Sequence, residues 1–255
     1  MRLRQIAFVA RELGPVLDDL CAVLGIEVCF NDPGVAHFGL QNALLPVNGN
    51  LLEVVAPLRA GTTAGRYLER RGGDGGYMLL FQCDNAAEWR MHLEAKGVRV
   101  VWNSEHADVV ANHFHPADTP GAIVSIDTML PLENWHREFA AWKWAGPDWQ
   151  GSVRTHQTQA IVAVEIQGAA PDTLAARWGE LFTRPVVRDT AGRAAILFDN
   201  MTLRFVADND GRGTGIGALD ILPQDRTAIL DAAEARGRRT ADAQVTLCGV
   251  RFNLL

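Results

Sequence analysis

A single carboxylate stands out first. Glu53 lies within Leu51-Leu52-Glu53-Val54-Val55, an apolar run in which an unpaired negative charge would be costly to bury. Such a group needs donors, a counter-ion or a task. Further along, His113 and His115 flank Phe114 on one face of an extended segment, and Asp127 lies two residues beyond Ser125 on one face of another. The turn Pro116-Ala117-Asp118-Thr119-Pro120-Gly121 sets these two segments side by side. Imidazole and carboxylate so placed are suited to holding a divalent cation. Arg66, Arg70 and Arg71 precede the run Gly72-Gly73-Asp74-Gly75-Gly76. Guanidinium forks bind carboxylate and phosphate well, so this stretch is either a solvated charged loop or a seat for an anionic substrate group. It lacks the lysine of a phosphate-binding loop. Tyr77 follows directly, offering a phenol as acid, base or hydrogen-bond donor, or simply packing within its strand.

Composition narrows the partners. The 255 residues carry a formal charge of −6 and no basic block, which argues against nucleic acid and anionic membranes. No stretch approaches the roughly 18 apolar residues of a membrane span, and the start shows no apolar segment with a small-residue cleavage site. The four cysteines, Cys21, Cys29, Cys83 and Cys248, form no close metal-type pair and read as buried free thiols in a reducing compartment. The expectation is a cytoplasmic protein that meets a small-molecule substrate or ligand, with a homodimer left open.

The elements that must position these residues recur. Helical segments open near Pro15, at Asn85, at Pro171 and near Gln224, and glycines follow three of them: Gly25, Gly97 and Gly237. Asn85 with Glu88 makes a capping pattern. A strand precedes each helix (Gln5–Ala10, Tyr77–Cys83, Ile161–Ile166, Ile216–Leu222), and β-rich sequence follows each, beginning with Gly25–Phe30 after the first. Strand, helix and three strands thus occur four times, predicting an α+β protein. Residues 1–130 would hold the first pair of βαβββ modules and 155–255 the second. Between them, 131–154 contains Trp135, Trp142, Trp144 and Trp149, too aromatic for a free linker. It should pack as a strap, with a lid over a ligand as the alternative role and Trp144 as the candidate contact.

Paired βαβββ modules resemble the vicinal-oxygen-chelate (glyoxalase, bleomycin-resistance and dioxygenase) superfamily. Asn50-Leu51-Leu52-Glu53-Val54-Val55-Ala56-Pro57 looks like its metal-binding fourth strand. Gly76-Tyr77-Met78-Leu79-Leu80-Phe81-Gln82-Cys83-Asp84-Asn85 looks like the opening of its partner module. An uncharacterised glyoxalase-like subgroup is also similar, through Ala64–Tyr77, His115–Ala122 and Trp144–Trp149. The resemblance implies two half-barrel domains, and one divalent ion held by residues at Gln5, Glu53, Met78 and Ser125. Gln5 and Glu53 suit a hard or borderline cation, whereas Met78 and Ser125 do not. His113 or His115, with Asp127, would then be the substitute ligands.

The matching places in the second half hold Val162, Arg204, Gly217 and Asn253, of which Val162, Arg204 and Gly217 cannot ligate a cation. Chemistry is therefore expected in residues 1–130, while Arg204, if buried, needs an anionic partner. Two functions follow. One is a metal-assisted enzyme acting on a small carbonyl or enol compound (lyase, isomerase or dioxygenase type), with Glu53 and Tyr77 catalytic and Arg66, Arg70, Arg71 and Trp144 holding substrate. The other is a metal-free protein that binds or sequesters a small molecule, as bleomycin-resistance proteins do.

Overall fold

The computed structural model describes residues 1–255. Strand β1 (Arg2–Val9) leads to helix α1 (Leu13–Leu24), which ends on Gly25 at φ 66°, a left-handed conformation that glycine adopts without strain. Strands β2 (Leu40–Val47) and β3 (Asn50–Pro57) complete the first module. The predicted strand over Gly25–Phe30 is reduced to a single bridge between Phe30 and Leu44. The second module is β4 (Gly75–Gln82), α3 (Ala86–Ala95), β5 (Val100–His106), β6 (Val109–Phe114) and β7 (Ile123–Met129). Asn85 caps α3 by accepting from the Glu88 amide, as the spacing predicts.

Between these modules lies an element the sequence did not announce. Helix α2 (Thr63–Arg71) occupies part of the expected charged loop. Thr62 caps it by accepting from the Gly65 amide, and Arg70 and Arg71 fall in its last turn, where positive charge suits the helix dipole.

The third module comprises β8 (Thr158–Gly168), α4 (Pro171–Phe182), β9 (Val187–Arg188), β10 (Ala194–Leu197) and β11 (Thr202–Ala207). The fourth comprises β12 (Gly215–Pro223), α5 (Arg226–Ala235), β13 (Arg239–Ala241), β14 (Gln244–Leu247) and β15 (Val250–Leu254). The fold is α+β, with paired βαβββ modules forming one sheet of seven strands, β2-β3-β1-β4-β7-β6-β5, and one of eight, β13-β14-β15-β12-β8-β11-β10-β9. At the centre of each, the opening strands of two modules pair antiparallel, β1 with β4 and β8 with β12. The closing strand of each module lies parallel beside its opening strand.

Alternation along the strands then sorts side chains to two faces. Ile6, Phe8, Leu52, Val54, Phe81 and Val124 join the helices and one face of the second sheet in a single core of 48 buried residues. Phe8 meets Phe252 at 6.0 Å and Phe81 meets Phe182 at 5.0 Å, so the two sheets share this core. The opposite face of the first sheet presents Gln5, Ala7, Leu51, Glu53 and Leu80, and part of it is covered by the tryptophan segment. Trp142 and Trp149 are buried there against Ala7, Leu44, Leu51 and Met129.

Candidate functional site

The uncovered part of that face opens into a cavity of about 1220 Å³, lined by side chains that include Gln5, Asn42, Glu53, Tyr77, His113 and Trp144. Helix α2 supplies another wall through Arg66, Tyr67, Arg70 and Arg71, and Arg212 reaches it from the second sheet's side.

Glu53 is 7 % exposed on β3 and lines the cavity. Both its oxygens receive side-chain amides: Gln5 Nε2 donates to Oε2 at 2.8 Å and Asn42 Nδ2 donates to Oε1 at 2.6 Å. Each amide is oriented from behind. Trp142 Nε1 donates to Gln5 Oε1 at 2.6 Å, and the Asp32 amide donates to Asn42 Oδ1 at 2.8 Å. The indole N–H can only donate, so Gln5 must turn its oxygen to Trp142 and its NH₂ to the carboxylate. Burial pushes the Glu53 carboxyl above its ordinary range, against the pull of the Asn42 and Gln5 donors. The result is a neutral, fixed cradle around a basic carboxylate.

Tyr77 is 7 % exposed beside it, its ring 5.1 Å from that of Tyr67. Tyr67 donates its hydroxyl to the Gly76 carbonyl at 2.5 Å, whereas the Tyr77 hydroxyl has no partner in the protein and borders the cavity. Burial, followed by the neighbouring Tyr67, pushes the Tyr77 phenol up to about 12, so it remains an O–H donor. His113 is half-buried with its ring 4.4 Å from Trp102, and burial alone pulls it down to about 4. It is a neutral imidazole facing the same space.

The expected metal cluster of Gln5, Glu53, His113, His115 and Asp127 is not assembled. No three of the chain's His, Cys, Asp and Glu side chains are grouped so as to hold a metal ion. Gln5 gives its only ligating atom to Trp142. Met78 offers a thioether, a poor partner for a hard cation. Asp127 is fully buried and accepts Ser125 Oγ at 2.5 Å and Trp144 Nε1 at 2.8 Å, with burial pushing it up to about 7. His115 lines the cavity elsewhere, its Nδ1 accepting from the Ala117 amide at 3.1 Å and lying 3.2 Å from Arg99 Nη2. These donors fit neither a glyoxalase-type cation nor a dioxygenase iron.

The same face of the second sheet is wired differently. Arg204 stands directly across from Glu165 and bonds it at 2.8 Å, with Asp220 also at 2.8 Å and Asp189 at 3.0 Å. Asn253, paired across from Asp220, donates to it at 2.8 Å, and Gln244 donates to Asn253 at 2.8 Å. Arg204 therefore has within the protein the anionic partners that its burial requires. A cleft of about 360 Å³ lies beside Glu165 and Arg193. Val162 and Gly217 contribute no ligating group, in keeping with their side chains.

Sequence inspection missed Asn42, Trp142 and Arg212. Asn42 was detectable as a polar interruption in the apolar strand that pairs with β3. Trp142 and Arg212 act across long separations in the chain and left no local signal.

Comparison with known proteins agrees with the architecture. A family model described as a glyoxalase-like domain matches residues 6–182. No curated protein matches the chain. Among solved structures, a variant methylmalonyl-CoA epimerase of Streptomyces coelicolor in complex with 2-nitronate-propionyl-CoA is 21% identical, covering 52% of this chain and 98% of its own at a TM-score of 0.46. The methylmalonyl-CoA epimerase of Mycobacterium tuberculosis is 22% identical, covering 51% and 88%, with a TM-score of 0.45. A hypothetical protein of Bacillus halodurans is 16% identical, covering 50% and 93%, also at 0.45. With its family match spanning well over half the residues and its paired βαβββ modules, this chain belongs to the glyoxalase-like domain family of the vicinal-oxygen-chelate superfamily.

Proposed function

We propose that the protein is an enzyme that moves a proton on a small carbonyl compound, with Glu53 as base and Tyr77 as the hydrogen-bond donor to the carbonyl oxygen. The observation that carries this is the chain of donors from Trp142 through Gln5 to Glu53, closed on the other side by Asn42. It holds a carboxylate immobile at the wall of a cavity while burial raises its basicity. In the step, a Glu53 oxygen takes the proton from the carbon next to the carbonyl. The C–H electron pair becomes the carbon–carbon π bond of an enolate, and the charge arrives on an oxygen that accepts from the Tyr77 O–H. Return of the proton from Glu53 to that carbon exchanges its hydrogen with solvent; in a 2-hydroxy carbonyl compound, return to the former carbonyl carbon, with the hydroxyl proton passing to the former carbonyl oxygen, gives isomerisation.

Deuterium incorporation from D₂O into a panel of 2-oxo and 3-oxo compounds, followed by proton NMR, tests this. Glu53→Gln should lower exchange by about 10²–10⁴-fold and Tyr77→Phe by about tenfold or more. Exchange at the wild-type rate in Glu53→Gln would remove the base from the scheme.

A second use of the cavity, binding or sequestering without turnover, is favoured by its size and by the aromatic wall of Phe38, Trp102 and Trp144. Saturable ligand binding with no exchange in any panel compound would select it.

A further inference from the structure

We infer that the end of the cavity beneath α2 is an anion-binding site, centred on Arg71 and completed by the second sheet. This deepens the proton-transfer proposal, and rests on it only for the statement that the anion belongs to the substrate: a carbonyl compound bearing a carboxylate or phosphate group.

Charge distribution is the first observation. The chain carries a formal −6, yet the cavity is lined by five arginines (Arg59, Arg66, Arg70, Arg71 and Arg212) against two carboxylates, Asp32 and Glu53, a local excess of three positive charges. None of those arginines forms an ion pair within the protein, whereas Arg204 on the other sheet has three carboxylates around it. Unpaired cations gathered around one cavity focus a field on an incoming anion.

Arg71 supplies the second, independent observation. It is only 6 % exposed. Its Nη1 donates to the carbonyls of Arg212 at 2.8 Å and Gly213 at 2.9 Å, with that of Thr214 at 3.5 Å. Its Nε and Nη2 are buried without any partner. These two nitrogens form one edge of the guanidinium, the edge that meets a carboxylate or phosphate through two parallel bonds. A buried donor left unmatched is costly, and a bound anion would remove that cost.

The loop that holds Arg71 comes from the other half of the chain. Arg212 donates to three backbone carbonyls, from Nε to that of Arg71 at 3.3 Å, from Nη1 to that of Gly249 at 2.8 Å and from Nη2 to that of Asp74 at 2.5 Å. A Cβ at Gly215 would lie 2.8 Å from Arg71 Cζ, so the strand following this loop can approach the guanidinium only as glycine. Asp208 and Asp210, the nearest acidic groups of the loop, are bonded to Gln167 at 3.0 and 2.5 Å and to backbone amides of their own turn. Both act on Arg71 through space, but neither is bonded to its Nε–Nη2 edge. The second sheet thus orients a cation for a cavity that belongs to the first.

Isothermal titration of the full-length protein with inorganic phosphate and with 2-oxobutanoate tests the site. The wild type should bind at least one probe saturably, more weakly at higher ionic strength. Arg71→Gln should weaken that binding by about tenfold or more. Arg71→Lys, which keeps the charge but not the fork, should also weaken it and serves as the deciding variant if Arg71→Gln does not fold. Glu53→Gln, which removes a negative charge from the cavity, should bind at least as tightly as the wild type, which separates failure of this site from failure of the proton-transfer proposal. Phosphate binding alone assigns a phosphorylated ligand, and oxo-acid binding alone a carboxylate. No saturable binding of either probe, or wild-type affinity in a folded Arg71 variant, would overturn the inference.

Discussion

The two sheets share one plan, the first with one strand fewer, and carry opposite wiring. On the first, the acidic side chain at the centre, Glu53, is surrounded by neutral amides and faces a cavity rimmed with unpaired arginines. On the second, the corresponding face centres on an arginine, Arg204, with three carboxylates around it at 2.8 to 3.0 Å, and only its Nε, beside Asp189, lacks an aligned hydrogen bond. One face leaves its charges available to a visitor and the other matches them internally. A repeated fold can thus divide its labour without changing its backbone plan, because cross-strand pairing alone decides whether a polar group meets the protein or a ligand.

The sharpest way to break this comparison is to remove the central charge on each side. Glu53→Gln should change stability by only about 1 kcal/mol, since it loses a charge that burial already opposes and keeps one of two amide bonds. Arg204→Met should cost about 3 kcal/mol or more, because Glu165, Asp189 and Asp220 then face one another without a cation. Urea titration of both variants measures the difference. Equal effects would mean that the second face is not the internally satisfied one.

Asp127 offers a pH-dependent version of the same contrast. Burial holds its folded pKa at about 7, above the unfolded value of about 3.9. The folded state therefore binds the extra proton between those values. Stability associated with Asp127 is fully present below about pH 4 and is lost as pH rises through 7. His113, held at about 4 in the folded state by burial, works in the opposite direction, favouring the folded state as pH rises from 4 past its unfolded value of about 6.5. Comparing wild type with Asp127→Asn cancels that contribution. The variant should gain relative to wild type between pH 4.5 and pH 8, by up to about 4 kcal/mol. A constant difference across the range would show that Asp127 is ionised throughout.

The smallest effect concerns the strap. Trp142→Phe deletes the N–H that orients Gln5 while retaining most of the buried ring. It should cost about 1–2 kcal/mol and lower proton exchange several-fold without abolishing it. An unchanged exchange rate would detach the strap from the site.

Much of the frame was legible in the sequence, for reasons these residues make plain. Glycines after helices and period-two strands are local signals, so the order of elements and the shared face of Ser125 and Asp127 followed from spacing. Glu53 was conspicuous because charge is costly in an apolar strand. What escaped depends on chain path and register. His113 and Asp127 share neighbouring strands, yet Trp144 lies against Asp127 and the imidazole turns to Trp102. Glu165 meets Arg204 because of a cross-strand pairing that no local pattern announces. The helix carrying Arg71 was obscured by the glycines that follow it, and the loop that holds Arg71 lies about 140 positions away.

Deuterium exchange measured side by side in folded Glu53→Gln and a folded conservative variant of the second face, Asn253→Asp, tests most directly where the chemistry resides. Exchange should fall by about 10²–10⁴-fold in the first and stay at the wild-type rate in the second. Exchange that survives Glu53→Gln but disappears with Asn253→Asp would place the reaction on the other sheet and contradict the account.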